Sequence, residues 1–380
     1  MENSISRDTF RINMSIWIYP EYSRTQVRRA GDILRESNDP FSQVESIDIL
    51  NNWKAAHELP LDKIMGDVIE YTEQFDFVKT ISQRRKRTES ILLKLKLQPK
   101  LDLARMQDLV GFRIVFRHDK PKKNREAIEK LLTELAYIEK GLKVKRKRNY
   151  IDEPRQSGYR SVHVIFQLDS PEYEEHKTMQ VELQIRTRMQ HIWATAVETV
   201  GMFDESNLKQ GLGDQQWLRF FRIMSDIMAM DEGTMAFDKV RKSKLCEELQ
   251  RITKENNVVQ QLNVIQAQHT ALRRAVHDLE KASRVDATQL TPDYFLVKLD
   301  LIPFFENKDN EPTIEVQTFS NDEHIEATEK YGEWEEDTHA HPLCFVLLAK
   351  SKNFEAFQQG FPNYFADIRE FMNLHNQYVS

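Results

Sequence analysis

The sequence predicts an α/β (α+β) core with a mixed sheet and flanking helices, then a helical linker and a small C-terminal α+β module. Two observations carry that prediction. Short β-rich runs alternate with helical patterns up to about residue 200. A breaker-poor helical stretch over 214–285 then separates them from three more β-rich runs after residue 293. The expected boundaries are 1–213, 214–290 and 291–380.

Taken in order, residues 1–80 read mainly as helices, with turns near Pro20, Pro40 and Pro60. Residues 62–96 carry apolar side chains at helical spacing, interrupted by the basic cluster Arg84–Arg87. Leu109–Phe116 reads as a strand and 122–140 as a helix. Arg160–Leu168 and Met179–Ile185 read as strands separated by a loop over Pro171–Lys177, and Met189–Val200 as a helix. In the last module, Tyr294–Ile302, Thr313–Phe319 and Leu343–Leu348 read as strands. Residues 321–336 and 353–372 read as helices.

The 380 residues are 40% hydrophobic and 30% charged. Mean hydropathy is −0.61, and no apolar run reaches membrane-spanning length. The N-terminus lacks a signal-peptide layout. Cys246 and Cys344 are the only cysteines and stand in no metal spacing, which fits a reducing cytoplasm and excludes a disulfide scaffold. The net charge of −6 does not describe a general nucleic-acid binder. Charge is unevenly placed, however: Lys143, Lys145, Arg146, Lys147 and Arg148 form a cationic block, and 321–337 is strongly acidic. Such asymmetry suits a polyanion site on one region and a complementary face on the other, or simply two solvated faces.

The residues that bear chemistry fall in four groups. Lys86, Ser90 and Lys94 are four apart, which on a helix gives one face suited to a triphosphate; Arg84 flanks it. Asp108 enters the first strand, which also carries Gly111 and Arg113, with Arg117 just beyond. Glu182 has the same layout in a later strand. Two such carboxylates either hold Mg²⁺ beside a nucleotide or pair with arginine. Gly158-Tyr159 lies in a turn-rich loop, where a tyrosine can stack on a nucleobase. His163 and Ser161 share a strand face, as do Glu182, Gln184 and Arg186.

In series, Arg84-x-Lys86-x-x-x-Ser90-Ile91-x-x-Lys94, Asp108-Leu-Val-Gly-Phe-Arg113, Ser157-Gly-Tyr159-Arg-Ser-Val-His163 and Val181-Glu-Leu-Gln-Ile-Arg-Thr187 resemble the RelA/SpoT alarmone synthetase domain. The resemblance runs over about residues 62–200. It implies a nucleotidyltransferase-like synthetase core that transfers the β,γ-diphosphate of ATP to a ribose 3′-hydroxyl. The acceptor is GDP or GTP in housekeeping members and the 3′ end of tRNA in toxic ones. It also implies ATP contacts at Arg84, Lys86, Ser90 and Lys94, with Arg113 and Arg117 facing phosphate. Mg²⁺ would sit at Asp108 and Glu182, with Glu182 helping to activate the hydroxyl. Tyr159 would stack on the acceptor base, and His163 and Arg155 would assist. The chain departs from the pattern at Asn149, often Asp in the family, and at Arg155, often Lys.

The C-terminal Gly360-Phe-Pro-Asn-Tyr364 segment resembles that of fused toxin–antitoxin synthetases of the CapRel type, with Phe361 replacing a tyrosine. That implies a C-terminal module closing over its own ATP site through Phe361 and Tyr364. A phage structural protein would release it, and tRNA modification would then stop translation. The basic run 143–148 would grip the tRNA. Alternatives are a (p)ppGpp synthetase and a non-enzymatic sensor on a degenerate synthetase fold.

Overall fold

The computed structural model describes residues 17–380 apart from 38, 73–74, 117–120, 136–140, 205–207, 209–210, 284–292, 339–340, 342 and 352. Three helices lead: α1 (Arg24–Glu36), α2 (Pro40–Ala56) and α3 (Glu58–Thr72). Ser23 and Gln26 cap α1 reciprocally. Asp39 caps α2, and Pro40 follows at the first position, where a missing N–H costs nothing. Pro40 and Pro60 therefore stand in the first turns of α2 and α3 instead of in free turns.

The central sheet contains β1 (Val78–Arg85), β2 (Val110–Phe116), β3 (Leu142–Asn149), β4 (Val162–Leu168) and β5 (Gln180–Arg186), in the order β1-β2-β5-β4-β3. Only β2 and β5 run parallel; the other pairs are antiparallel, so the sheet is mixed. Every residue of β2 is buried, as its near-continuous apolar run requires of a central strand. Helices α4 (Thr88–Leu97), α5 (Pro121–Leu135) and α6 (Arg188–Phe203) flank the sheet.

One expectation is corrected here. The helical spacing read across 62–96 is divided by β1, so Arg84 lies in a strand, one residue before its end, Lys86 lies in the link, and only Ser90 and Lys94 are on α4. The ladder to β2, with Arg84 opposite Gly111, satisfies this backbone and overrides local spacing. The cationic block 143–148 lies on β3, an exposed edge strand.

Helices α7 (Gln215–Asp231), α8 (Lys239–Glu255) and α9 (Val258–Ser283) follow. The C-terminal module comprises β6 (Tyr294–Asp300), α10 (Ile302–Glu306), β7 (Thr313–Phe319), α11 (His324–Thr338), β8 (Cys344–Lys350), α12 (Phe354–Gly360) and α13 (Arg369–Val379). Its sheet is antiparallel, ordered β7-β6-β8. The single helix expected over 353–372 is broken after Gly360. Pro362 disfavours helical backbone at Phe361, a 3-10 turn follows over Pro362–Phe365, and Ala366 takes a left-handed φ of 50°.

One apolar cluster joins α6–α9 to β6–β8 and the terminal aromatics; a second lies against the central sheet. Among the described residues no helix is long and apolar enough to cross a membrane.

Candidate active site

The ends of β1, β2 and β5 converge on a cleft with about 330 Å³ of empty space, lined by Arg84, Asp108, Gly111, Arg113, Glu182 and Gln184 among others. Gly111 faces Glu182 across the parallel β2–β5 ladder. A Cβ at Gly111 would lie 2.3 Å from the Glu182 carbonyl oxygen, so only glycine lets the two strands approach.

Asp108 is gripped by two ammonium groups: Lys86 Nζ at 3.2 Å and Lys94 Nζ at 2.6 Å. Burial raises its pKa, but the two lysines overcome that and hold it well below the usual carboxylate range. The strand–link–helix path thus brings Lys86 and Lys94 together although they do not share a helix face. Arg84, next to last in β1, stands opposite Gly111 and lines the cleft, and Ser90 is half-buried on α4.

Arg113 is 6% exposed. Its Nη1 donates to the Gly360 carbonyl at 3.5 Å, and among the described residues its Nε has no partner. Burial first, then the neighbouring Arg186 charge, with Arg84 adding to it and the Glu198 carboxylate opposing, bring its pKa down to about 9. A buried guanidinium so poorly compensated is suited to an anion. Arg117 lies outside the described residues.

The other half of the cleft is a closed ring of hydrogen bonds. Glu182 Oε1 meets His163 Nδ1 at 2.8 Å, and His163 Nε2 meets the Tyr159 hydroxyl at 2.8 Å. Arg186 donates to that hydroxyl at 3.2 Å and to Gln184 Oε1 at 2.9 Å. Gln184 donates back to Glu182 Oε2 at 2.7 Å. Burial opposes charge on both Glu182 and His163, yet their pairing lowers Glu182 to about 2. Tyr159 and Glu182 raise His163 to about 9. Both shifts favour the charged forms of the pair.

Tyr159 is 2% exposed, with the Arg155 guanidinium 5.5 Å from its ring centre. Stacking on a base requires that Arg155 move or the loop open. Tyr150, which the sequence reading did not single out as a site residue, is half-exposed beside it. Its hydroxyl accepts from Arg148 and Arg155, whose guanidinium lies 4.7 Å over its ring. Arg186 and Gln184 were read as sharing a face with Glu182 but were not chosen as site residues; the alternation along β5 was the signal for them.

The loop that carries Arg155, Gln156 and Gly158 is held from α7. Gly158 has a φ of 91°, and its carbonyl accepts from the Ser225 hydroxyl. Arg222 donates to the carbonyls of Arg155 and Gln156. Arg160 pairs with Asp226 at 2.8 Å in a buried setting. Nothing in the sequence marked α7 for this task, because the contacts span more than 60 residues. Lys143, Lys145, Arg146, Lys147 and Arg148 are exposed along β3, and Arg148 pairs opposite His163 in the ladder.

Phe361 and Tyr364 are buried in the large apolar cluster. The Tyr364 hydroxyl donates to the Val346 carbonyl, and Arg87 and Arg84 lie within its electrostatic reach. A Cβ at Gly360 would come 2.9 Å from that of Ser82 on β1, so α12 packs directly on the strand that carries Arg84.

Among the described residues no group of three or more His, Cys, Asp or Glu is arranged to hold a metal. Two ionised carboxylates on one cleft nonetheless fit Mg²⁺, which is commonly held by one or two carboxylates, substrate phosphates and water.

Residues 83–206 match the family model described as a region found in RelA / SpoT proteins. The GTP pyrophosphokinase YjbM of Bacillus subtilis is 29% identical over 163 residues, which cover 41% of this chain and 72% of that protein. An uncharacterized protein of Mycobacterium tuberculosis is 29% identical over 184 residues, covering 47% of this chain and 59% of its own length. The small alarmone synthetase 1 of Bacillus subtilis, in a crystal structure with its product pppGpp, aligns at 24% identity. It covers 52% of this chain and 96% of that one, with a TM-score of 0.38.

Proposed function

We propose that this pyrophosphokinase, whose RelA/SpoT synthetase domain includes residues 83–206, moves the β,γ-diphosphate of ATP to the 3′-hydroxyl of the terminal adenosine of tRNA. The observation that carries the transfer is Arg113, a buried guanidinium with too few partners beside two ionised carboxylates. Arg84, Lys86, Ser90, Lys94 and Arg113 bind the triphosphate. Asp108 and Glu182 are the residues that would hold Mg²⁺, which when bound supplies charge neutralisation at the phosphate oxygens. Glu182 also orients the attacking hydroxyl, with His163 and Tyr159 holding its carboxylate in place. The hydroxyl oxygen bonds to the β-phosphorus as the bridge to the α-phosphate breaks. AMP leaves with the electron pair, and the hydroxyl proton is released. Positioning and charge compensation carry such a step.

The exposed cations of β3 favour tRNA as acceptor. They continue, strand to strand, into the His163 face and would track a phosphate backbone. Arg155 and Tyr150 cover Tyr159 until the base enters. Residues 291–380 act as a regulatory module over the synthetase, with 214–290 connecting the two. The 3.5 Å contact from Arg113 to the Gly360 carbonyl supports the reading that the module keeps the enzyme quiet. A phage structural protein would release it, and the arrest of translation would serve as abortive-infection defence. A second reading, a guanosine nucleotide as acceptor, is favoured by the similarity to a GTP pyrophosphokinase.

The test incubates the full chain, and its Tyr364→Ala variant, with ATP labelled at the β and γ phosphates plus either GDP or deacylated tRNA. Label on tRNA, stronger in the variant, supports the proposal. Label on guanosine nucleotide alone selects the second reading.

A further inference from the structure

The acidic segment 321–337 finds a partner in the fold. Its helix α11 packs toward the start of α4, and Glu335 is buried there. Glu335 Oε2 takes an ion pair from Lys54 Nζ at 2.5 Å, with both side chains 7% exposed. Its Oε1 accepts from the Thr88 backbone N–H at 3.0 Å, and Oε2 from the Thr88 hydroxyl at 2.9 Å. Lys54 also donates to that hydroxyl at 2.9 Å. Tyr331, one turn earlier on α11, bonds Glu335 and lays its ring 5.2 Å from the Lys54 ammonium.

Helix α4 lacks a side-chain cap of its own: Arg87 stands at the N-cap and makes no capping hydrogen bond. A carboxylate 247 positions away in the chain satisfies its first free N–H instead. The capped helix is the one that carries Ser90 and Lys94. Close by, Arg87 lies 4.6 Å over the Phe345 ring of β8.

We infer that Glu335 is a latch, a carboxylate from the C-terminal module that caps the ATP-binding helix α4 and neutralises the buried Lys54, so holding the module closed. This rests on the proposed roles of α4 and of the closed state. The physical reason is asymmetry. In the closed form Lys54 is buried, and without Glu335 it loses its direct ion-pair partner, with Glu58 left to act on it only through space. In an open form both groups are hydrated and neither depends on the other. Loss of the carboxylate charge therefore shifts the balance toward opening, and Glu335 is a point at which displacement of α11 loosens the ATP helix.

The experiment uses the full chain and two variants, Glu335→Gln and the double Lys54→Met/Glu335→Gln. Hydrogen exchange is followed in peptides covering 86–92 and 330–338, alongside label transfer from ATP. Glu335→Gln is expected to exchange at least five-fold faster in both peptides and to transfer at least ten-fold more label. The double variant removes the stranded ammonium while Gln still accepts from the Thr88 N–H, so both readouts return toward the parent chain. General unfolding would not be reversed in that way.

Unchanged exchange in Glu335→Gln overturns the latch, as does failure of the double variant to restore it. The latch is equally overturned if Tyr364→Ala transfers label and Glu335→Gln does not. If exchange responds and reverts as expected while no variant, Tyr364→Ala included, transfers label to either acceptor, the latch stands and the proposed function falls.

Discussion

Arg113 sets the terms at the scale of single residues. A guanidinium that is nearly buried, sits near Arg84 and Arg186, and leaves Nε unsatisfied is a poor contributor to stability. On the proposed function, its value lies in the triphosphate it would bind. Arg113→Ala is therefore expected to cut kcat/KM for ATP by about 100-fold or more, roughly 3 kcal/mol, in a chain freed by Tyr364→Ala. Its melting temperature should stay unchanged or rise. Steady-state kinetics and a thermal melt check both halves, and a large fall in melting temperature would count against this account of Arg113. The neighbouring ring of Glu182, His163, Tyr159, Arg186 and Gln184 was partly legible beforehand. Alternation along β4 and β5 put these side chains on shared faces, but only the pairing of those strands closes the ring. Tyr150 was missed as a site residue because its significance depends on Arg148 and Arg155 reaching its hydroxyl.

At the scale of elements, the β1–α4 unit was misread locally, because an 8-residue edge strand carries its basic side chains without an alternation that sequence can separate from a helix. The ladder to β2 decides it. Helix α7 is the other element whose task is tertiary: it grips Gly158, Arg160 and the carbonyls of the preceding loop. The α2–α3 junction offers a pH test. His57 is 2% exposed, with Nδ1 2.6 Å from the Trp53 carbonyl. Burial lowers its pKa to about 4, against the opposing pull of that carbonyl. The imidazole is then neutral in the native state while the unfolded chain protonates near 6.5. Stability contributed by this group is present above about pH 6.5 and is lost as pH falls from there toward 4, on the order of 2–3 kcal/mol. Urea midpoints at pH 7.5 and pH 5 in the parent chain and in His57→Gln measure it; the variant should lose less between the two.

For the whole molecule, the net charge of −6 conceals an exposed cationic edge along β3 and an acidic helix whose acids face solvent except for the buried Glu335. If β3 tracks tRNA, Lys145→Gln/Lys147→Gln should weaken tRNA binding and lower the slope of log affinity against log salt by roughly 1–2, leaving ATP affinity unchanged. Filter binding across a salt series reads it, and an unchanged slope would remove β3 from the acceptor interface. The sequence by itself marked the candidate residues Asp108, Glu182, Tyr159, His163 and the flanking cations, because a motif is legible as particular side chains at particular spacings. It also determined the α+β alternation, since period-2 and period-3.6 patterns follow from backbone geometry. The tertiary structure decided the long-range contacts: Arg113 on the Gly360 carbonyl, Glu335 on Thr88 and Lys54, and α7 on the Gly158 loop. Those contacts join residues from 65 to 281 positions apart. No local periodicity encodes a partner at that distance; burial and hydrogen-bond satisfaction select it only when the chain is folded.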